Sequence, residues 1–242
     1  MSEFLQTAME NLSFLLSCLA VFAVLVLAAW LAERFLIPER RKISTAKRVS
    51  YVAIFSALAT VLHMLDFPLA FIAPAFYEID FSEIPVLICA FYMGPVSGVV
   101  CELLKIILKL LLKGTSTAFV GDFANFFVGC AMVLPAAVIY HRKKSKKTAI
   151  IGLVAGTVVM AAVGSAFNAF YLIPKFSQLF GIPLDVIVGM GADINSRINS
   201  VGTLALFCVV PFNIVKGVVV SFLTLLLYKR VEKVFFRDTI QK

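Results

Sequence analysis

The chain has 242 residues, of which 61% are hydrophobic and 15% charged, with a mean hydropathy of +0.99. Soluble domains carry about 45–50% apolar and about 25% charged residues, so this composition excludes a single globular core and fits an all-α, multi-spanning bundle facing lipid. The net charge is +8, yet sixteen of the 22 Lys and Arg fall in three short patches (34–48, 142–147 and from 229 onward), each beside an apolar segment; that distribution marks cytoplasmic loops and excludes a nucleic-acid-binding face, which spreads its charge over a folded surface.

The N-terminus carries Glu3 and Glu10, then an apolar run, then the first basic patch. A signal peptide begins with a basic region. The order here predicts an uncleaved span over roughly 11–34, with its N-terminus outside. The polar connector PERRKISTAKR is the one plausible boundary. A second span over roughly 48–66 leaves the cytoplasm near His63. An irregular segment rich in aromatics follows from Asp66 to Asp80, with Pro68 and Pro74. The third span, roughly 82–94, is short and holds Pro85, which predicts a bent or tilted helix. GPVSG at 94–98 is a tight link into the fourth span, roughly 97–113. The fifth covers about 118–140, the sixth about 148–173 up to Pro174, and the seventh about 198–228, with a loop over 174–196 on the outer side. All three basic patches then lie in the cytoplasm, and the C-terminus with them.

Polar residues inside spans carry the information, because a charge at the bilayer centre costs at least about 2.5–3.5 kcal/mol and so has a partner or a function. In PFNIVKG (211–217), Asn213 and Lys216 are three residues apart and share one helix face. They are either the wall of a binding cavity or an interhelical hydrogen bond. In FNAFYLIP (167–174), Asn168 stands among Phe167, Phe170 and Tyr171. An amide beside rings suits a planar heterocycle, and equally suits an interfacial aromatic belt. In GTSTAFVGDFANF (114–126), Thr115 to Thr117 resemble a helix start, Gly121 permits close helix approach, and Asp122 and Asn125 share a face. Lys105, Lys109 and Lys113 form a stripe on the fourth span. Glu102 is placed to pair with Lys105 and Lys113 to reach the interface. Ala53 and Ala57, with Ser56 alongside, provide a small-residue face for another helix.

Other chemistry is missing from the sequence. The five cysteines form no CxxC pair, and His63 and His141 are far apart in the topology. No P-loop, HExxH or GxSxG occurs, so neither ATP-driven transport nor hydrolysis by this chain alone is indicated, and no cofactor or metal site is expected. A membrane-embedded enzyme built on Glu102 or Asp122 lacks a second catalytic group at suitable spacing.

Taken in order, YEIDFSEIP (77–85), ELLKIILKLLLKGTSTAFVGDFANF (102–126), FNAFYLIP and PFNIVKG resemble the riboflavin-specific substrate-binding (S) component of energy-coupling factor (ECF) transporters, over about residues 47–232. The resemblance implies a six-helix substrate-binding unit over 47–232; the extra N-terminal helix and connector over 1–46 depart from the family pattern and lie outside the resemblance, and a cytoplasmic tail over 233–242 follows. It implies a plasma-membrane protein that takes riboflavin as substrate, or a related ligand such as FMN, another vitamin or a modified nucleobase. It also implies partners, a membrane T component and two cytoplasmic ATPases. Asn213, Lys216 and Asn168 then become polar ligands of the flavin and its ribityl chain, with Asn125 and Asp122 beside them. The segment 66–80 becomes a gate, with Phe67, Leu69 and Tyr77 touching substrate. Ala53 and Ala57 become the face that docks on the T component.

Overall fold

The computed structural model describes residues 12–37 and 43–235. The expected tail at 233–242, Lys42 and the middle of the connector lie wholly or largely outside these residues. Helix α1 (Leu12–Leu36) is followed by α2 (Thr45–His63), a two-residue antiparallel ladder of β1 (Phe67–Pro68) and β2 (Glu78–Ile79), then α3 (Glu83–Met93) and α4 (Pro95–Lys113). Next come α5 (Val120–Arg142), α6 (Lys146–Phe167), α7 (Ile173–Phe180), α8 (Leu184–Ala192), α9 (Val201–Leu204) and α10 (Val210–Phe235). Among the described residues, five helical stretches are long and apolar enough to cross a membrane. Of the other two long segments, α3 has 11 residues and α4 carries Glu102, Lys105, Lys109 and Lys113.

Every residue of α3 is buried, and α2, α4, α5 and α10 pack around it. At 1.5 Å per residue this helix is ~16 Å long, about half the hydrocarbon thickness. The short central helix leaves the other half of the bundle's axis to be filled by something else. Pro85 falls in its first turn, where a missing N–H costs little. Gly94 (φ 106) is the single residue between α3 and α4. The α5–α6 seam is the tightest: a Cβ on Gly152 would lie 2.6 Å from the Ala136 carbonyl oxygen, and one on Gly156 2.5 Å from that of Met132. Small residues let helix backbones approach this closely in a membrane, where dispersion rather than water exclusion drives association.

One end of the bundle gathers the basic residues. Tyr51 of α2 meets Tyr92, His141 Nε2 lies 2.9 Å from the Ala90 carbonyl, and Tyr140 meets Tyr228. The opposite end holds His63, the β1–β2 ladder, Lys113 and the start of α5. Leucines and valines such as Leu27, Leu58, Leu111, Val158 and Leu226 are exposed on the outer faces, as a lipid-facing surface requires.

Pro174 does not end the sixth span. Residues Asn168–Leu172 form a π turn in which the Ile173 N–H reaches the Asn168 carbonyl, five residues back. Pro174 follows, has no N–H to place, and the helix continues as α7. The last span repeats the device: Ala205–Val209 form a π turn, the Val210 N–H reaches the Ala205 carbonyl, and Pro211 follows. In both cases the widened turn absorbs the register that proline would otherwise break. The stretch expected as an outer loop over 174–196 is thus largely helical, as α7 and α8.

Candidate functional site

At the end away from the basic patches, the bundle encloses a cavity of about 690 Å³. Its walls come from the end of α2, the β1–β2 segment, α4, the start of α5, the two π-turn helices and α8. Asn125, Asp122, Asn168, Asn213, Lys216 and Tyr77 all line it, together with Phe76, Phe176, Phe180 and Phe212. No residue of α3 contributes to the wall; α3 begins below it, where Glu83 meets Lys216.

Two of the expected contact residues lie elsewhere. Phe67 is 43% exposed and tilts against the Phe81 ring at 6.1 Å. It pairs with Ile79 across the two-residue ladder, and its ring stays at the surface beside Phe81, off the cavity wall. Leu69 packs into the cluster of Ala73, Tyr77 and Ile79, behind the wall rather than in it.

Asn213 is 5% exposed, and its Nδ2 has no hydrogen-bond partner among the described residues. An unmade bond on a buried amide costs roughly 1–3 kcal/mol, so an orphan donor on a cavity wall points to a guest that accepts from it. Asn168 is held on both sides. Its Oδ1 accepts from the Tyr77 hydroxyl at 2.9 Å, and its Nδ2 donates to the Gly164 carbonyl at 2.8 Å. The Tyr77 bond ties the β1–β2 segment to the first π turn. Exchanging Tyr77 for phenylalanine is expected to weaken ligand binding several-fold, mainly through faster release, since a net hydrogen bond is worth about 1 kcal/mol. Stopped-flow release rates check this, and an unchanged rate would remove the tie from the argument.

Lys216 does not reach freely into the cavity. Its Nζ donates to Asp80 Oδ2 at 3.0 Å and lies 3.3 Å from Glu83 Oε2. Glu83 also lies 3.5 Å from Lys105 Nζ, and Lys105 donates to Glu102 and, at 3.0 Å, to Ser82 Oγ. His63 Nδ1 lies 3.5 Å from Asp80 Oδ2. A buried network of three carboxylates, two ammoniums and one imidazole therefore underlies the cavity as its floor, reaching the wall itself through Lys216 and His63. Lys105 is fully buried within it, so the lysine stripe splits into a floor residue and two wall residues. Lys109 pairs with Asp122 at 2.5 Å, and Lys113 pairs with Asp66 at 3.3 Å at the cavity mouth. At the same mouth, burial first and the Asp66 carboxylate second raise the pKa of Glu78.

The start of α5 is made by side chains. Ala118 and Phe119 have left-handed φ values of 45° and 70°. Thr115 Oγ1 accepts the Phe119 N–H at 3.0 Å and donates to Asp122 Oδ2 at 2.7 Å. Thr117 Oγ1 accepts the Gly121 N–H at 3.0 Å, and a Cβ on Gly121 would press on that hydroxyl. Gly121 thus serves its own cap rather than a neighbouring helix. On α2, Ala53 and Ala57 are exposed, whereas Ser56 turns inward to the Val52 carbonyl at 2.7 Å.

The family model for the substrate-specific component of ECF transporters matches residues 47–228. The chain belongs to this family. It is 37% identical over 193 residues to the riboflavin transporter RibU of Staphylococcus aureus (strain TCH60), covering 79% of this chain and 94% of that protein. Identity to the riboflavin transporter FmnP of Bacillus subtilis (strain 168) is 28% over 176 residues, 72% of this chain and 86% of that one. A solved structure described as the S component of a bacterial ECF transporter matches with a TM-score of 0.61 at 34% identity, over 82% of this chain and all of that one. The S component fold accounts for the six spans from α2 to α10, and this S component carries α1 in addition. Asp80, Glu83 and the two π turns escaped the sequence reading, although Pro174 and Pro211 were the visible signal for the latter.

Proposed function

We propose that this S component captures riboflavin at the cavity end and delivers it for uptake. The observation that carries the reading is the unpartnered amide nitrogen of Asn213 on the wall of a cavity that also presents Asn125, Asn168 and several rings. Riboflavin has a flat tricycle with an imide edge and a polyol tail. The rings cover the tricycle, and the amides serve the imide and hydroxyls. Its size, about 27 non-hydrogen atoms at roughly 0.3 kcal/mol each, allows about 8 kcal/mol, a micromolar Kd or better. The names of the similar proteins support the same ligand.

In this proposal the basic end faces the cytoplasm of a plasma-membrane protein with its N-terminus outside, following the positive-inside rule. The segment 66–80 closes over the vitamin. The Ala53/Ala57 face docks on a membrane T component, and two ATPases drive the reorientation that releases riboflavin inside. The test is a titration of the detergent-solubilised protein. Quenching of riboflavin fluorescence at a one-to-one ratio is expected, and no quenching at micromolar protein would end the proposal. Separately, tryptophan at both Ala53 and Ala57 is expected to abolish uptake in cells while leaving the titration unchanged. Lost binding in that variant would move these alanines from docking to packing.

A further inference from the structure

Helix α1 lies before the residues that the family model matches, yet it is anchored to them along its whole length. Near its start, Phe14 meets Phe123 edge-on with centroids 5.8 Å apart. Midway, Phe22 tilts against Phe126 at 6.1 Å. Ala29 is fully buried in the same cluster as Val99 and Ile106 of α4. At its basic end the contact is polar and specific. Glu33 is buried, and its Oε1 accepts the Val96 N–H at 2.9 Å.

That bond completes the start of α4. Gly94 caps the helix without a side chain, and Pro95 at the first position has no N–H, so Val96 presents the first orphan donor. A carboxylate there also meets the positive end of the helix dipole. The fit is mutual: a Cβ on Gly94 would lie 2.6 Å from Glu33 Oε1, so the bare glycine makes room for the carboxylate. Withdrawing α1 would leave a buried N–H without a partner and the Glu33 carboxylate in the lipid.

We infer that α1 is a fixed seventh helix of the binding unit, which moves with α4 and α5 as one body when the S component reorients, and which closes the α4–α5 face to partner subunits. An independent anchor that stays upright while the core turns would have to break the Glu33–Val96 bond and both ring contacts in every cycle. The inference rests on the transport proposal for the existence of a reorientation, and on packing alone for the attachment.

Paired cysteines in place of Phe22 and Phe126, in a cysteine-free background, test it with a short reducible bis-thiosulfonate bridge in vesicles holding the full transporter. A second pair, in place of Phe14 and Phe123, serves if the first fails to fold. The expected result is the same bridging yield at rest and during ATP turnover, and riboflavin uptake that is unchanged by bridging. A yield that falls during turnover, or bridging that stops uptake and is reversed by reductant, would overturn the inference, as would failure of both pairs to bridge. If the unbridged transporter takes up no riboflavin, the proposed function fails and the joint movement with it, and the resting yield alone still decides whether α1 is attached to the core.

Discussion

Replacing Lys216 by methionine is expected to abolish riboflavin binding and to lower the melting temperature of the ligand-free protein by about 10 °C. The reason is the company that Lys216 keeps. Its Nζ neutralises Asp80 at 3.0 Å and Glu83 at 3.3 Å, inside a floor whose remaining lysine, Lys105, already serves Glu102 and Glu83. Methionine fills the same volume without charge, so three buried carboxylates would face a single ammonium. Breaking a buried ion pair from one side costs about 3–5 kcal/mol, and each kcal/mol lowers the melting temperature of a chain this size by about 2–4 °C. A double variant separates the two roles of Lys216. Adding Asp80→Asn removes one orphaned carboxylate and is expected to recover part of the lost melting temperature and none of the binding. Binding that returned with Asp80→Asn would mean that Lys216 acts on the ligand only through the floor.

The outline of this molecule was readable because insertion into lipid is a local property. Span positions follow from runs of apolar residues, and the basic end follows from three patches; neither needs tertiary information. The pairing of Asn213 with Lys216 on one face was equally local, three residues apart on a helix. What supports them was not. Asp80 is 136 residues from Lys216, and nothing about YEIDFSEIP distinguishes a gate segment from the source of a lysine's counter-ion. The same limit misplaced Phe67 and Leu69. An aromatic and a leucine in a gate segment were both natural contact residues, but Phe67 stands exposed beside the Phe81 ring and Leu69 packs with Ala73, Tyr77 and Ile79, contacts that exist only once the segment has folded. Pro174 was read as a terminator by a rule that holds for α-helices. A π turn evades the rule, because its hydrogen bonds skip five residues and leave the proline with no acceptor to miss. The role of Glu33 was hidden for another reason: a cap given by one helix to another depends on Gly94 having no side chain, and that fit exists only after the helices meet.

Asn213→Ala is expected to show the opposite stability signature from Lys216→Met, although the two residues share a helix face. Asn213 has the orphan Nδ2, so the ligand-free protein already carries the cost of an unmade hydrogen bond. Truncation removes that donor at a wall that is already open to the cavity, and no new void is sealed inside the bundle. The melting temperature without ligand should stay constant or rise. Riboflavin affinity should fall about 10- to 100-fold, because the vitamin then loses a donor worth roughly 1–3 kcal/mol in a site closed to water. Thermal unfolding with and without riboflavin measures both quantities in one experiment, since ligand stabilisation scales with the logarithm of concentration over Kd. A variant that melts lower and binds normally would place Asn213 in the packing of α6 against α10, and the cavity would lose the group that most clearly marks it as built for a guest.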